Sequence, residues 1–263
     1  MQLRDFVAEC DRLWPISGAD DWDKPGLVTG ALSQNVESVL LSIDVTEEVV
    51  DQAIALGANV LFAHHPPLLK GVNYLAEDGR KGSLVAKAIR ADLAIFSAHT
   101  NADIVFDGVS DVFAKRLGLE QVVPLVPVSQ SAGHGRIGLL PTDLRLGELV
   151  ERLSDLLPAT ARGIASSASA DTPVRRVALC GGAGDAFIEQ AFAAGADVYI
   201  TSDLRHHVAQ ESPLPLVDVS HWASESLWLE VASQRLANAC SEVEFSVSEL
   251  VTDPWVFNQE RTK

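Results

Sequence analysis

Short, mostly apolar runs separated by amphipathic stretches set the pattern of this chain. Runs at 36–43, 60–63 and 93–98 lack the in–out alternation of a half-exposed sheet, so they read as strands buried on both faces. Between them, 47–56 and 81–90 carry apolar residues at helical spacing. Thr46 is placed to N-cap the first of these helices. Glu47 and Glu48 fall in its first turn, where the helix dipole favours acids, and Gly57 ends it. A further helix over 109–117 stops at Gly118, and the first ten residues read as an amphipathic helix. The second half repeats the logic. Strands are expected at 136–140, 160–165, 174–180, 198–201, 214–219 and 244–251, and helices at 146–157, 186–194 and 224–239. The Ser/Ala-rich stretch 166–173 reads as a loop. Strand–helix alternation of this kind predicts an α/β fold with mixed, largely parallel sheets.

An internal echo suggests how the elements are grouped. Ala55-Leu56-Gly57-Ala58-Asn59-Val60-Leu61-Phe62 matches Ala193-Ala194-Gly195-Ala196-Asp197-Val198-Tyr199-Ile200 in spacing, and a polar cluster follows each. In the first copy it is His64-His65; in the second, Ser202-Asp203 and then His206-His207. One reading is two similar lobes, 1–126 carrying His64, His65 and Asp103, and 127–263 carrying His221 and Glu225. Pro124 and Pro127 would bracket a linker between them. The other is that any strand–helix–strand unit with Gly–Ala before its strand would give the same echo.

Composition narrows the function classes. The 263 residues are 47% hydrophobic and 21% charged, enough for a full core, and carry a net charge of −16. That balance argues against nucleic-acid partners, which need clustered Lys and Arg, and suits attraction of divalent cations. The cysteines, Cys10, Cys180 and Cys240, form no CxxC pair. A disulfide framework or thiolate zinc site is therefore not expected, and a reducing cytoplasmic setting is. No secretory h-region or membrane-length apolar run is seen.

The candidate chemistry lies at strand ends. His64-His65-Pro66-Pro67 follows the run 60–63, and Pro66 holds His65 in extended backbone. Two adjacent imidazoles on a stiff backbone suit metal ligation, most naturally of two different ions. His99 ends the next strand, with Asp103 four residues on. His221 follows the strand 214–219, and Glu225 lies one helical turn beyond it. In parallel α/β folds ligands gather outside the carboxyl ends of strands, so these groups could share one cleft. Three imidazoles and two carboxylates would suffice for two hydrolytic metal ions. Taken singly, each has a plainer reading: a hydrogen-bonded structural His, a helix-terminal Glu, an Asx-turn Asp. Gly181-Gly182-Ala183-Gly184 reads as a tight strand-to-helix turn more readily than as an anion cradle, since it lacks the P-loop lysine and spacing. Asp203, His206 and His207 suit either a solvated turn or groups supporting the ligands. Asp20-Asp21-Trp22-Asp23 suits a polar turn with an anchored Trp.

Taken in order, several stretches resemble the NGG-interacting-factor-three-like family, whose bacterial members are called GTP cyclohydrolase 1 type 2 homologs. They are Asp21-Trp22-Asp23-Lys24-Pro25-Gly26-Leu27, Ser42-Ile43-Asp44-Val45-Thr46, His64-His65-Pro66-Pro67 and Ala98-His99-Thr100-Asn101-Ala102-Asp103. Further along come Gly135-Arg136-Ile137-Gly138, 177–184, 196–203 and Ser220-His221-Trp222-Ala223-Ser224-Glu225. The resemblance implies a two-lobed α/β fold in a ring-shaped homohexamer. It also implies a dinuclear centre with ligands His64, His65, Asp103, His221 and Glu225, and His99 lining the site as a proton-transfer group. The two divalent ions could be Zn, Fe, Mn, Co or Ni. The implied activity is metal-dependent hydrolysis of a nucleotide- or phosphoester-like small molecule, GTP ring opening by the family name. The alternative is a non-enzymatic metal-binding, metal-delivery or regulatory protein. No substrate-binding residue is assigned. The chain departs from the family pattern at Lys24 (usually Asn), Asp107-Gly108 (usually a Gly pair) and Ser202 (often Gly). The bulky Ile104-Val105-Phe106 would reshape the pocket.

Overall fold

The structure, a computed structural model, describes residues 1–259. In chain order the first elements are α1 (Leu3–Leu13), β1 (Gly26–Thr29), β2 (Ser38–Ser42), α2 (Glu47–Ala55), β3 (Val60–Ala63), α3 (Arg80–Arg90), β4 (Ala94–Ser97), α4 (Thr100–Asp103) and α5 (Val109–Leu117). They are followed by β5 (Glu120–Pro127), β6 (Gly133–Arg145), α6 (Leu146–Leu156), β7 (Ala165–Ser166), β8 (Pro173–Ala183), α7 (Ile188–Ala193), β9 (Val198–Ser202), α8 (His206–Gln210), β10 (Leu216–Val219), α9 (His221–Ala239) and β11 (Glu244–Val247). Two compact units result. One comprises Met1–Ala102 with Leu229–Thr252; the other comprises Asp103–Trp228 with the residues from Asp253.

The first unit is built on a five-stranded sheet of order β1-β4-β3-β2-β11, parallel except for β1. Both faces of its central strands are covered, which is why they read as unbroken apolar runs. Leu61 and Ile95 pack against Val49, Val50 and Ala53 of α2 and Leu84 and Ala88 of α3. Their strand neighbours Phe62 and Phe96 stack at 5.7 Å, and Trp14 and Phe6 close on them at 5.3 and 6.3 Å. Thr46 caps α2 as expected, its side chain accepting from Val49 N. Gly118, at φ +79°, ends α5 in the left-handed conformation that favours glycine.

The second unit holds a six-stranded sheet of order β5-β6-β8-β9-β10-β7. Strands β8, β9 and β10 run parallel, flanked by antiparallel neighbours. Its core includes Leu125, Ile137, Ala178, Ala191, Tyr199 and Leu216.

Several expectations are corrected. The stretch read as a linker around Pro124 and Pro127 is the edge strand β5, a position that tolerates proline because one side of the strand needs no ladder bond. The expected strand at 160–165 is reduced to the two residues of β7, and the one at 244–251 stops at Val247. Helix α9 starts at His221, ahead of the expected 224, because Ser220 caps it. Strand β1, with Gly26 at φ +111° and a shifted register, gave no periodic signal.

Candidate metal centre

In the first unit, His64 and His65 continue β3 beyond its last residue. Their amides donate to Ser42 O (3.0 Å) and Ile43 O (2.9 Å), so the parallel ladder with β2 fixes both backbones. His64 is fully buried, and its Nδ1 is 2.9 Å from Ala98 O. A carbonyl can only accept, so this nitrogen carries the proton, and in the neutral ring Nε2 carries the lone pair. His65 Nδ1 is 2.8 Å from Asp44 Oδ1, and His99 Nδ1 is 2.8 Å from Asp23 Oδ1. Each of the three rings is thus turned the same way, Nδ1–H to an oxygen and Nε2 outward. Ligand atoms of His64, His65 and His99 all lie within 4.8 Å of one another, a grouping that could hold a metal ion.

Asp23 is buried and also accepts from Thr100 N (3.0 Å), Thr100 Oγ1 (2.6 Å) and Lys24 N (2.7 Å). Burial pushes its pKa up, but the bonds from His99 and Thr100 outweigh that and hold the carboxyl well below its usual range. The half-exposed Trp22 meets His99 edge-on at 5.8 Å.

In the second unit the groups lie at the carboxyl ends of the parallel strands, as the α/β rule requires. His221 follows β10 and opens α9; Asp203 follows β9 at φ +59°. His221 Nδ1 is 2.8 Å from Asp203 Oδ2, and its Nε2 is 3.0 Å from Glu225 Oε1, one turn along α9. Burial opposes charge on this imidazole, but the Glu225 and Asp203 carboxylates prevail and raise its pKa to about 11. The same imidazole and carboxylate are donor types that a divalent cation would accept. Space there depends on Gly182: a Cβ at this left-handed residue would come within 2.2 Å of Glu225 Oε1 and 3.1 Å of His221 Nε2. The donor types and the glycine cradle both fit a cation.

Asp103 ends α4, and the loop that follows is pinned by a buried arginine. Arg136 donates through Nε to Asp111 Oδ1 (2.9 Å), through Nη1 to the carbonyls of Gly133 (2.7 Å) and Gly135 (2.8 Å), and through Nη2 to Val105 O (2.9 Å). Asp111 Oδ2 accepts from Asp107 N at 2.9 Å. Asp107 has φ +59°, a conformation Asp tolerates better than most side chains. Burial first, then the nearby charges of Asp103 and Glu225, push the Cys180 thiol up to about 12. Cys10, Cys180 and Cys240 are all free and buried.

Gly181 and Gly182 lie within β8, their amides bonded to Ser110 Oγ (3.2 Å) of α5 and Ser224 Oγ (3.0 Å) of α9, so the glycines serve close packing on those helices. His206 and His207 are exposed on the short α8 and face each other. Asp44, Asp23 and Arg136 went unassigned from sequence. The first was within reach: Ser42 pairs with Ala63 across β2 and β3, so Asp44 and His65 stand in the same register.

Histidines at strand ends, each oriented by an oxygen acceptor, and a His–Glu pair one turn apart on α9 belong to an α/β protein whose residues could hold a metal ion. The chain belongs to the Duf34/NIF3 (NGG1p interacting factor 3) family, whose model matches residues 1–254. It is 40% identical to a Streptomyces coelicolor protein named GTP cyclohydrolase 1 type 2 homolog, over 97% of this chain and 93% of that one. A Mycobacterium tuberculosis protein of the same name is 30% identical, over 99% and 98% respectively. Among solved structures, a Bacillus cereus protein related to NIF3 superposes with a TM-score of 0.91 at 27% identity, covering 98% of this chain and 99% of that one. A Staphylococcus aureus hypothetical protein gives 0.90 at 26% over the same shares. Among the described residues, no helix is long and apolar enough to cross a membrane.

Proposed function

We propose that His64, His65, Asp103, His221 and Glu225 converge on one dinuclear divalent-metal centre, and that the chain is a metal-dependent hydrolase of a nucleotide- or phosphoester-like small molecule. The observation that carries this reading is the common orientation of the imidazoles, each with Nδ1 held by an oxygen so that Nε2 is the ligand nitrogen. Divalent ions bound there would supply Lewis acidity and a water of lowered pKa. His99, held at Nδ1 by Asp23, carries a proton to or from substrate through Nε2. Trp22 offers a flat apolar face beside it. The relatives' shared name makes GTP the first nucleotide to test. The setting we infer is a cytosolic ring-shaped homohexamer, which light scattering on the purified protein checks.

Elemental analysis of untagged protein tests the centre: about two ions per chain are expected, lost or halved in His65→Ala. Turnover of GTP and other nucleotides by metal-loaded protein, abolished in Asp103→Ala, tests the hydrolase. Rapid metal exchange with no turnover of any nucleotide would favour metal delivery instead.

A further inference from the structure

Beyond β11 the chain runs without helix or strand to residue 259, and from 248 to 259 its one buried residue is Asp253. Trp255, Val256 and Phe257 are exposed at 57%, 91% and 79%. Apolar packing therefore does not hold this segment in place. Its attachments around Asp253 are polar, and they lie directly behind the candidate ligands. In the first unit, Thr252 Oγ1 donates to Asp44 Oδ2 at 2.5 Å, while the other oxygen of that carboxylate holds His65 Nδ1 at 2.8 Å. In the second, Asp253 Oδ2 accepts from Ser220 Oγ at 2.5 Å, and Oδ1 accepts from Trp255 N at 2.8 Å. Ser220 Oγ in turn accepts from Ala223 N at 3.1 Å, capping the helix whose first residue is His221.

We propose that Thr252 and Asp253 are positioning residues of the metal centre. Thr252 would fix His65 through Asp44, and Asp253 would fix His221 through the Ser220 cap. The proposal rests on the reading that His65 and His221 are ligands. A carboxylate engaged at both oxygens cannot swing about its bond, so the imidazole it holds keeps its ring plane. Such outer hydrogen bonds set metal affinity as well as geometry. Ser220 has a single hydroxyl proton, and giving it to Asp253 aims a lone pair at the helix amide. Burying a carboxylate as the anchor of an exposed segment is costly unless its bonds are needed. Two consecutive polar residues, each ending behind a different candidate ligand, are hard to explain as packing.

The test uses the full-length chain loaded with Zn(II) or Co(II), with affinity read by chelator competition and stoichiometry by elemental analysis. Thr252→Val keeps the shape and removes the hydroxyl, and should weaken metal retention about tenfold or more. Thr252→Ser restores the hydroxyl and should stay near wild type. Asp253→Ala should weaken retention similarly, and the metal-stripped Thr252→Val protein should melt with the wild type. Equal affinity in wild type and Thr252→Val, or equal losses in the Val and Ser variants, would overturn the proposal. The Thr252 pair decides it even if Asp253→Ala fails to fold. If wild type binds no metal, or His65→Ala loses none, the underlying assignment of ligands fails instead.

Discussion

The two sets of candidate ligands are made rigid by different means. His64 and His65 sit on backbone that a parallel ladder already fixes, with amides donating to Ser42 O and Ile43 O. Their positions cost no dedicated side chain; ring orientation is set by the Ala98 carbonyl for His64 and by one side chain, Asp44, for His65. The second unit's groups stand on a loop and a helix start, and side chains scaffold them. Arg136 pins the carbonyl of Val105 just past Asp103, Ser224 Oγ receives Gly182 N, and Asp203 holds His221. Sheet-built geometry is shared among many bonds, whereas scaffolded geometry hangs on a few. Single substitutions should therefore disturb the second set more than the first.

The strongest test of that contrast is Arg136→Met. Arg136 is 1% exposed, and its loss strips Asp111 of a buried partner, removes the guanidinium bonds to the carbonyls of Gly133 and Gly135, and leaves Val105 O with Gly108 N. Breaking a buried pair from one side costs about 3–5 kcal/mol, read as a lower urea midpoint, and metal should fall with it. The same pair predicts acid sensitivity. Burial raises the Asp111 pKa, but Lys115 and Arg136 more than reverse this and lower it. A carboxyl depressed in the fold contributes stability above its unfolded value of about 3.9, and that contribution is lost as pH falls through the lower folded value. Asp111→Asn should thus flatten the acid limb of the stability–pH curve. An unchanged limb would mean the pair does not anchor this loop.

A matched pair of smaller changes sets one region against the other. Gly182→Ala puts a side chain at φ +69° and a Cβ within 2.2 Å of Glu225 Oε1. The backbone strain alone is about 1–2 kcal/mol, and elemental analysis should show metal reduced. Asp44→Asn leaves the ladder under His65 untouched. It should lower metal affinity about 10–100-fold with little change in the melting temperature of the metal-free protein. If Asp44→Asn destabilised the fold as much as Gly182→Ala, the distinction between ladder-built and scaffolded geometry would be wrong.

The same distinction accounts for what could be read from the chain. Ladder-built features leave local signals: unbroken apolar runs for β3 and β4, and a His pair before Pro-Pro where β3 ends. Helical spacing gave His221 and Glu225 a common face, and Thr46 announced its own cap. Scaffolding leaves no local signal, because Asp23 and His99, or Arg136 and Asp111, are joined by the fold and not by spacing. Strand β5 was hidden by its prolines, and β1 by a glycine and a register shift.

The smallest effect belongs to a position that serves the first sheet but touches no candidate ligand. Thr46 accepts from Val49 N at 3.3 Å and satisfies one of the amides that α2 leaves open at its start. Removing the hydroxyl in Thr46→Ala should cost about 1 kcal/mol, a shift of a few degrees in melting temperature. Helix α2 packs on β3 through Val49, Val50 and Ala53 while the ladder with β2 fixes His64 and His65, so fraying its first turn should not reach the imidazoles. Metal stoichiometry and affinity should therefore equal those of the wild type. A loss of metal in Thr46→Ala would show that the strand-end histidines depend on side-chain support as much as the helix-borne pair does.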